Sequence, residues 1–148
     1  AFADLSASAA YREASACDMI IASNNISAEF GSIGVMVSFA DMKPLYEKDG
    51  VKFHTVYAPE STHKNLPLEN AIKGDYQLLQ DEVLSPLAKH FQKAVKKNRG
   101  KLDDKAEGIL NGKMFYADQA MAVGLIDKIG NLDFALKQAK KLALAKKL

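Results

Sequence analysis

Short apolar segments alternate with helix-favouring segments along most of this 148-residue chain. The segments with the aliphatic content or alternation typical of strands lie at 1–5, 19–22, 33–39, 51–57 and 125–129. The segments with helical spacing or composition lie between and after them, at 9–17, 42–48, 75–98, 116–123 and 132–148. Because this alternation is typical of parallel strands joined by crossover helices, the sequence predicts an α/β fold.

Local signals refine three of these boundaries. Asp41 can cap the helix at 42–48, and the Asp49-Gly50 turn ends it. Pro86 lacks an N–H group, so we expect a kink in the long helix at 75–98. Residues 58–67 are polar and irregular, and they predict a loop.

Composition and length exclude several classes of protein. The length fits one domain, and no apolar run approaches the ~20 residues of a membrane helix. A single cysteine, Cys17, excludes an internal disulfide or a multi-cysteine zinc site, and the three histidines lack metal-ligand spacing. We therefore expect no metal and no cofactor. The basic last third follows amphipathic helices without interleaved aromatic residues, which indicates a solvated helix face and no nucleic-acid partner.

Three local patterns could carry chemistry. The first is an apolar strand that runs into Ser6 and Ser8 and then into a helix, where a hydroxyl would lie beside free N–H groups. The second is the Gly-Ser-Ile-Gly turn at 31–34, and the third is the loop that contains His63 and Lys64. From the residues alone, a helix cap, a strand-entry turn and a solvated lysine are the favoured explanations of these patterns. A Ser-His-Asp arrangement of His63 with Asp18 is not specified by any spacing.

In this order, however, the patterns resemble serine peptidase family S49. The run DLSASAAYREASACDMIIASNNISAEFGSIGV at 4–35 is similar to the nucleophile region of signal peptide peptidase A and of phage capsid-protein-C-like head proteases. The resemblance continues through the strand that ends at Tyr57 and the His63-Lys64 loop. It reaches the closing segment at 116–127, in which Gly124-Leu-Ile-Asp127 resembles the family's GL-x-D motif.

The resemblance implies a Clp/crotonase-like fold and a Ser-Lys dyad. It makes Ser8 the nucleophile, Lys64 the general base, Ser32 the residue that orients Lys64, and the backbone N–H of Ala9 an oxyanion donor. Ala9 and Ala10 depart from the family, which usually has at least one glycine there, but alanine keeps the N–H donor. No cofactor or metal is implied.

The resemblance also implies that residues 1–148 are the C-terminal portion of a single peptidase domain, with an upstream part missing. That part would supply the second oxyanion donor, so we expect residues 1–148 alone not to catalyse proteolysis. Implied partners are an unfolded polypeptide or signal-peptide substrate and further copies of the chain. A bacterial location follows, either cytoplasmic or at a membrane through an anchor outside these residues.

Alternatives remain open within this interpretation. The family member could serve signal-peptide degradation or phage or prophage capsid maturation, and the compact tail and the His63-Lys64 loop are somewhat more similar to the phage branch. It could also be a non-catalytic structural homologue associated with capsid or membrane assembly. An acyl-coenzyme A enzyme of crotonase type shares the fold class, but it gives no reason for the set Ser8, Ser32 and Lys64.

Overall fold

The computed structural model describes residues 1–145, which divide between two compact units. One unit combines Ala1–Val35 with Ala88–Leu148, as far as the described residues reach, and the other is Met36–Leu87. The regular elements are all short or of moderate length. In chain order they are β1 (Phe2–Ala3), β2 (Leu5–Ala7), α1 (Ala9–Ser15), β3 (Ile21–Ala22), β4 (Glu29–Gly31), α2 (Lys43–Lys48), α3 (Leu66–Ile72), α4 (Gln77–Leu79), a π-helical segment (Gln80–Leu84), α5 (Ser85–Asn98), β5 (Met114–Tyr116), α6 (Ala117–Ala122), β6 (Lys128–Ile129) and α7 (Leu132–Ala145).

The first unit contains two small sheets that share the N-terminal stretch of chain. In one sheet the strand order is β1-β3-β6 and all pairs are parallel; in the other it is β2-β4-β5. β2 and β4 are parallel, with Ala7 opposite Gly31, whereas β4 and β5 are antiparallel, with Phe30 opposite Phe115. The mixed α/β class is confirmed. The expectation of parallel strands throughout is wrong for β5, which the sequence analysis did not predict.

One apolar core holds the first unit together. Its fully buried side chains include Tyr11 of α1, Phe30 of β4 and Val95 of α5, together with Leu125 in the turn before β6. Burying large aromatic and aliphatic side chains of this kind stabilises a fold by about 1.5–3 kcal/mol each. The core therefore fixes α1 against the closing segment of the chain.

Every regular element described in the second unit is helical, and two strand predictions in and beside it are wrong. Residues 33–39 and 51–57, all within the described chain, form no strand. Phe39, Phe53 and Val56 leave 41%, 46% and 91% of their surfaces exposed, respectively, and neither segment is paired with another, so both lack the partner that stabilises a strand. The helix α3 starts at Leu66, at the end of the segment predicted as a loop.

Other predictions are confirmed with modified bounds. The side chain of Asp41 accepts a hydrogen bond from the N–H of Lys43 at 3.0 Å, where α2 begins. The long helix predicted over 75–98 contains the π-helical segment Gln80–Leu84, which ends two residues before Pro86. Proline has no N–H group to donate to the preceding turn, so we expected an irregularity in the helix here. The π-helical segment is that irregularity. The helix predicted over 132–148 is α7, and its last three residues lie outside the described residues.

Candidate functional site

Ser8 occupies a sharp turn between β2 and α1. Its backbone has a positive φ of 53° with ψ −122°, a combination that residues other than glycine rarely adopt. Its N–H donates to the carbonyl oxygen of Gly31 at 3.0 Å, and its own carbonyl oxygen accepts the N–H of Arg12 at 3.0 Å. Ser8 is exposed, and its side chain makes no capping hydrogen bond to any described residue. The hydroxyl therefore stands free at a strand–helix corner and does not serve as a cap.

Ala9 and Ala10 begin α1 directly after this turn. The first N–H groups of a helix have no carbonyl within the helix to bind, and those of Ala9 and Ala10 find no other acceptor within residues 1–145. The positive φ of the turn falls on Ser8 and not on either alanine. Alanine in place of the family's glycine is consequently compatible with the turn, and the Ala9 N–H remains available to an incoming oxygen.

Ser32 follows β4 in the same way that Ser8 follows β2. Its φ is also 53°, its N–H donates to the carbonyl oxygen of Lys113 at 3.0 Å, and its carbonyl oxygen accepts the N–H of Gly34 at 2.9 Å. Because Ala7 is paired with Gly31 in parallel register, Ser8 and Ser32 follow the carboxyl ends of adjacent strands, which lie about 4.8 Å apart. The structure thus brings Ser8, Ala9 and Ser32 to one edge of a sheet.

Gly31 is required by the approach of β5 to this edge. Its φ is 129°, and a Cβ atom added there would lie 2.6 Å from the carbonyl oxygen of Lys113. The glycine in the Gly-Ser-Ile-Gly pattern therefore serves close backbone contact, as the sequence analysis anticipated for a tight turn.

Lys64 belongs to the second unit, in the turn that precedes α3. Its N–H donates to the carbonyl oxygen of Ser61 at 3.1 Å, its side chain is exposed, and the next residue, Asn65, has φ 63°. The neighbouring His63 places Nε2 2.7 Å from a carboxylate oxygen of Glu82 in the same unit. Ser8 and Ser32 lie in the first unit and Lys64 in the second, so its assignment stays a prediction.

The closing Gly-Leu-Ile-Asp motif holds several elements of the first unit together, which sequence analysis did not foresee. Asp127 accepts two hydrogen bonds from Arg99, each 2.9 Å long, and one from the N–H of Ile20 at 2.7 Å. Arg99 is only 8% exposed, and its Nε donates to the carbonyl oxygen of Gly124 at 3.2 Å. Sequence analysis could have noticed Arg99, because it follows a helix whose last turn contains lysines. Only arginine offers the forked geometry that binds both carboxylate oxygens.

Charge and burial shift two pKa values in this region. Burial alone would raise the pKa of Asp127, but the hydrogen bonds from Arg99 and from the Ile20 N–H outweigh it and lower the pKa below its ordinary value. Burial raises the pKa of Tyr11, whose hydroxyl donates to the carbonyl oxygen of Leu125 at 2.8 Å. Asp127 is thus held ionised and Tyr11 neutral.

Two cavities of the first unit are lined by residues other than Ser8 and Ser32. An open cavity of about 510 Å³ is lined by apolar side chains of β1, β3 and α7, and a polar one of about 470 Å³ borders Arg99 and Asp127. Ser8, Ala9 and Ser32 line neither of these two. Within residues 1–145, no three side chains of the His, Cys, Asp or Glu types cluster as a metal site would require. Over the same residues, no helix is both long and apolar enough to cross a bilayer.

Comparison with known proteins identifies relatives of this chain. It is similar to a chloroplastic serine protease SPPA of Arabidopsis thaliana, with 31% identity over 95% of this chain and 20% of the relative. It is 30% identical to a candidate protease of Synechocystis sp., over 96% of this chain and 50% of that protein. A candidate signal peptide peptidase SppA of Enterococcus faecium is 28% identical over 95% of this chain and 40% of its own length.

The chain spans half or less of the length of these relatives. The family model for peptidase family S49, by contrast, matches residues 1–146, which is nearly all of the sequence. On that match, the chain belongs to peptidase family S49.

Proposed function

We propose that this chain carries the nucleophile of a serine endopeptidase with a Clp/crotonase-like fold, and that Ser8 and Lys64 form its catalytic dyad. The observation that carries the proposal is the turn at Ser8. An exposed hydroxyl without a capping bond stands there beside the unpaired N–H of Ala9, in a chain of a peptidase family. Strained backbone at such a corner is typical of functional residues.

The proposed reaction begins with attack of Ser8 Oγ on the carbonyl carbon of a peptide bond. The neutral amine of Lys64 takes the hydroxyl proton while the new C–O bond forms, and the N–H of Ala9 donates to the oxyanion. Collapse of the tetrahedral intermediate breaks the C–N bond, and Lys64 returns the proton to the leaving amine. Water, deprotonated by Lys64, then hydrolyses the acyl-enzyme and frees Ser8.

Ser32 is proposed to orient the amine of Lys64. Its place beside Ser8, at the carboxyl end of the next strand, supports a role at the same site. No cofactor or metal takes part in this scheme.

The proposed substrate is an extended, unfolded polypeptide, with signal peptides as the favoured class. A relative named as a signal peptide peptidase supports this branch of the family over capsid maturation. Several copies of the chain are proposed to assemble around the substrate.

Reaction with a fluorophosphonate tests the nucleophile directly, because such probes phosphonylate an activated serine hydroxyl. In the complete protein, with the upstream part that residues 1–148 are expected to lack, the wild type should be labelled at Ser8 and the Ser8→Ala variant should not. A Ser38→Ala variant, altered at another exposed serine, should react like the wild type. A folded protein that is never labelled would favour the non-catalytic homologue.

A further inference from the structure

We propose that Tyr11 is a positioning residue for the nucleophile turn, a role that rests on the proposed function of Ser8. Tyr11 lies one helical turn after Ser8 and is fully buried. Its hydroxyl crosses the core to donate a hydrogen bond of 2.8 Å to the carbonyl oxygen of Leu125. This bond joins the first turn of α1 to the closing segment of the chain.

The other end of that bond is held firmly. The backbone at Gly124 has φ 80°, and a Cβ atom there would collide with the carbonyl oxygen of Lys101. Arg99 donates to the Gly124 carbonyl oxygen, and the N–H of Leu125 donates to Ala120 at 2.8 Å. An anchor fixed from several sides transmits its position through a hydrogen bond better than a mobile one does.

The path from Tyr11 to Ser8 is short. α1 has only seven residues, and the Arg12 N–H bonds back to the Ser8 carbonyl oxygen at 3.0 Å. A helix this short has little intrinsic stability, so tertiary contacts determine where it begins. Since Ala9 offers its N–H from the first position of α1, a shift of this helix would displace the oxyanion donor relative to the sheet edge.

A second tether at the opposite end of α1 supplies a matched control. There Asn98 Nδ2 donates to Ser15 Oγ at 3.1 Å, and Asn98 is exposed. Asn98→Ala removes a hydrogen bond from the same helix but leaves its first turn anchored. Tyr11→Phe removes only the hydroxyl and keeps the buried ring.

The experiment has two arms, both on the complete protein, which includes the upstream part that residues 1–148 are expected to lack. In the first, native-state hydrogen exchange is followed at the amides of Ser8 and Arg12. Tyr11→Phe should accelerate exchange at these two amides about tenfold, whereas Asn98→Ala should leave them within about twofold of the wild type. Equal exchange in Tyr11→Phe and wild type, or equal acceleration in both variants, would overturn the proposal.

In the second arm, cleavage of an unstructured peptide is measured below the melting temperature of each variant. Tyr11→Phe should lower kcat about tenfold with KM within about twofold, because misplacement of reacting groups affects the transition state more than substrate binding. Asn98→Ala should change neither. An unchanged kcat in Tyr11→Phe would show that Ser8 does not need this tether and would reject the role. If wild-type Ser8 neither cleaves nor reacts with a fluorophosphonate, the proposed function fails, while the exchange arm still decides whether Tyr11 holds the turn.

Discussion

At the scale of single residues, Asp127 shows how much one carboxylate can organise. It binds both terminal nitrogens of Arg99 and the backbone N–H of Ile20, which begins the approach to β3. Removing it would leave a guanidinium buried without its partner, and such groups are expensive to keep from water. The motif that resembles a family signature therefore has a structural reason in this chain.

The pH dependence of stability should report this carboxylate. The folded-state pKa of Asp127 lies below its ordinary value of 3.8, so its stabilisation is complete above about pH 4 and is lost as the pH falls through the folded-state pKa. We expect Asp127→Asn to lower the free energy of unfolding at pH 7 by about 1.5–3 kcal/mol and to flatten its acid dependence. Urea titrations between pH 2 and 7 measure both.

Asp104→Asn is the control for that prediction. Asp104 also pairs with a base, Lys96, at 2.8 Å, but both side chains are exposed. Solvent screens such a pair, so this variant should change stability much less. An equal loss in the two variants would contradict the role assigned to Asp127.

The general base is the second prediction at this scale. We expect Lys64→Ala to abolish turnover and His63→Ala to keep most of it, because His63 is engaged with Glu82 at 2.7 Å. Since only the neutral amine accepts a proton, activity should increase toward alkaline pH. Peptide hydrolysis by the complete protein, upstream part included, across a pH series measures this, with Lys73→Ala as a control lysine from the same unit. Activity that survives in Lys64→Ala but not in His63→Ala would reject the assignment.

At the scale of elements, periodicity predicted helices better than strands. The bounds of α2, α6 and α7 follow the predicted segments to within about one residue wherever they are described, because each has an apolar face or clear end signals. Alternation at 51–57 predicted a strand, but this segment has no pairing partner. The second inner strand was predicted at 33–39, whereas the structure has it at Glu29–Gly31. Local pattern states which side chains suit a strand, but pairing depends on residues far away in the sequence.

Gly31, the last residue of β4, gives a prediction at the element scale. Gly31→Ala should destabilise the protein by about 2–4 kcal/mol, because its Cβ would meet the Lys113 carbonyl oxygen in a left-handed conformation. Gly112 also has a positive φ, 93°, but there is open space around it. Gly112→Ala should therefore lower the free energy of unfolding by only about 1–2 kcal/mol. Thermal unfolding of both variants measures the difference. Equal destabilisation would show that conformation, and not contact with β5, requires the glycine.

At the scale of the whole molecule, the sequence predicted which residues belong to the site but not how the fold brings them together. Ser8, Ser32 and Ala9 were assigned by resemblance to a family, and their proximity comes from the parallel register of β2 with β4. Tyr11 and Leu125 are separated by more than a hundred residues, as are Ile20 and Asp127, so no local pattern could predict these bonds. Lys64 is the general base only in the proposal, and the kinetics of its variants will test that assignment.

Assembly is the prediction that belongs to the whole molecule. The segment at 36–57 exposes many large apolar side chains, including Met36 at 77% and Val56 at 91%. Isolated soluble proteins seldom leave such groups uncovered over a long segment, and the proposed function calls for several copies of the chain. Light scattering should therefore report an oligomer at micromolar concentration. A monomer across the whole concentration range would contradict this.

The positive φ at Ser8 and Ser32 also bears on how this protein could change under selection. Glycine adopts that conformation without the steric cost that serine carries, so at both positions the residue present is not the one that folding would choose. A library selected for heat resistance alone should drift toward glycine at 8 and 32, whereas one selected for peptide hydrolysis should retain both hydroxyls. The divergence of the two libraries at these positions would separate, without any inhibitor or substrate analogue, what the chain needs in order to fold from what it needs in order to react.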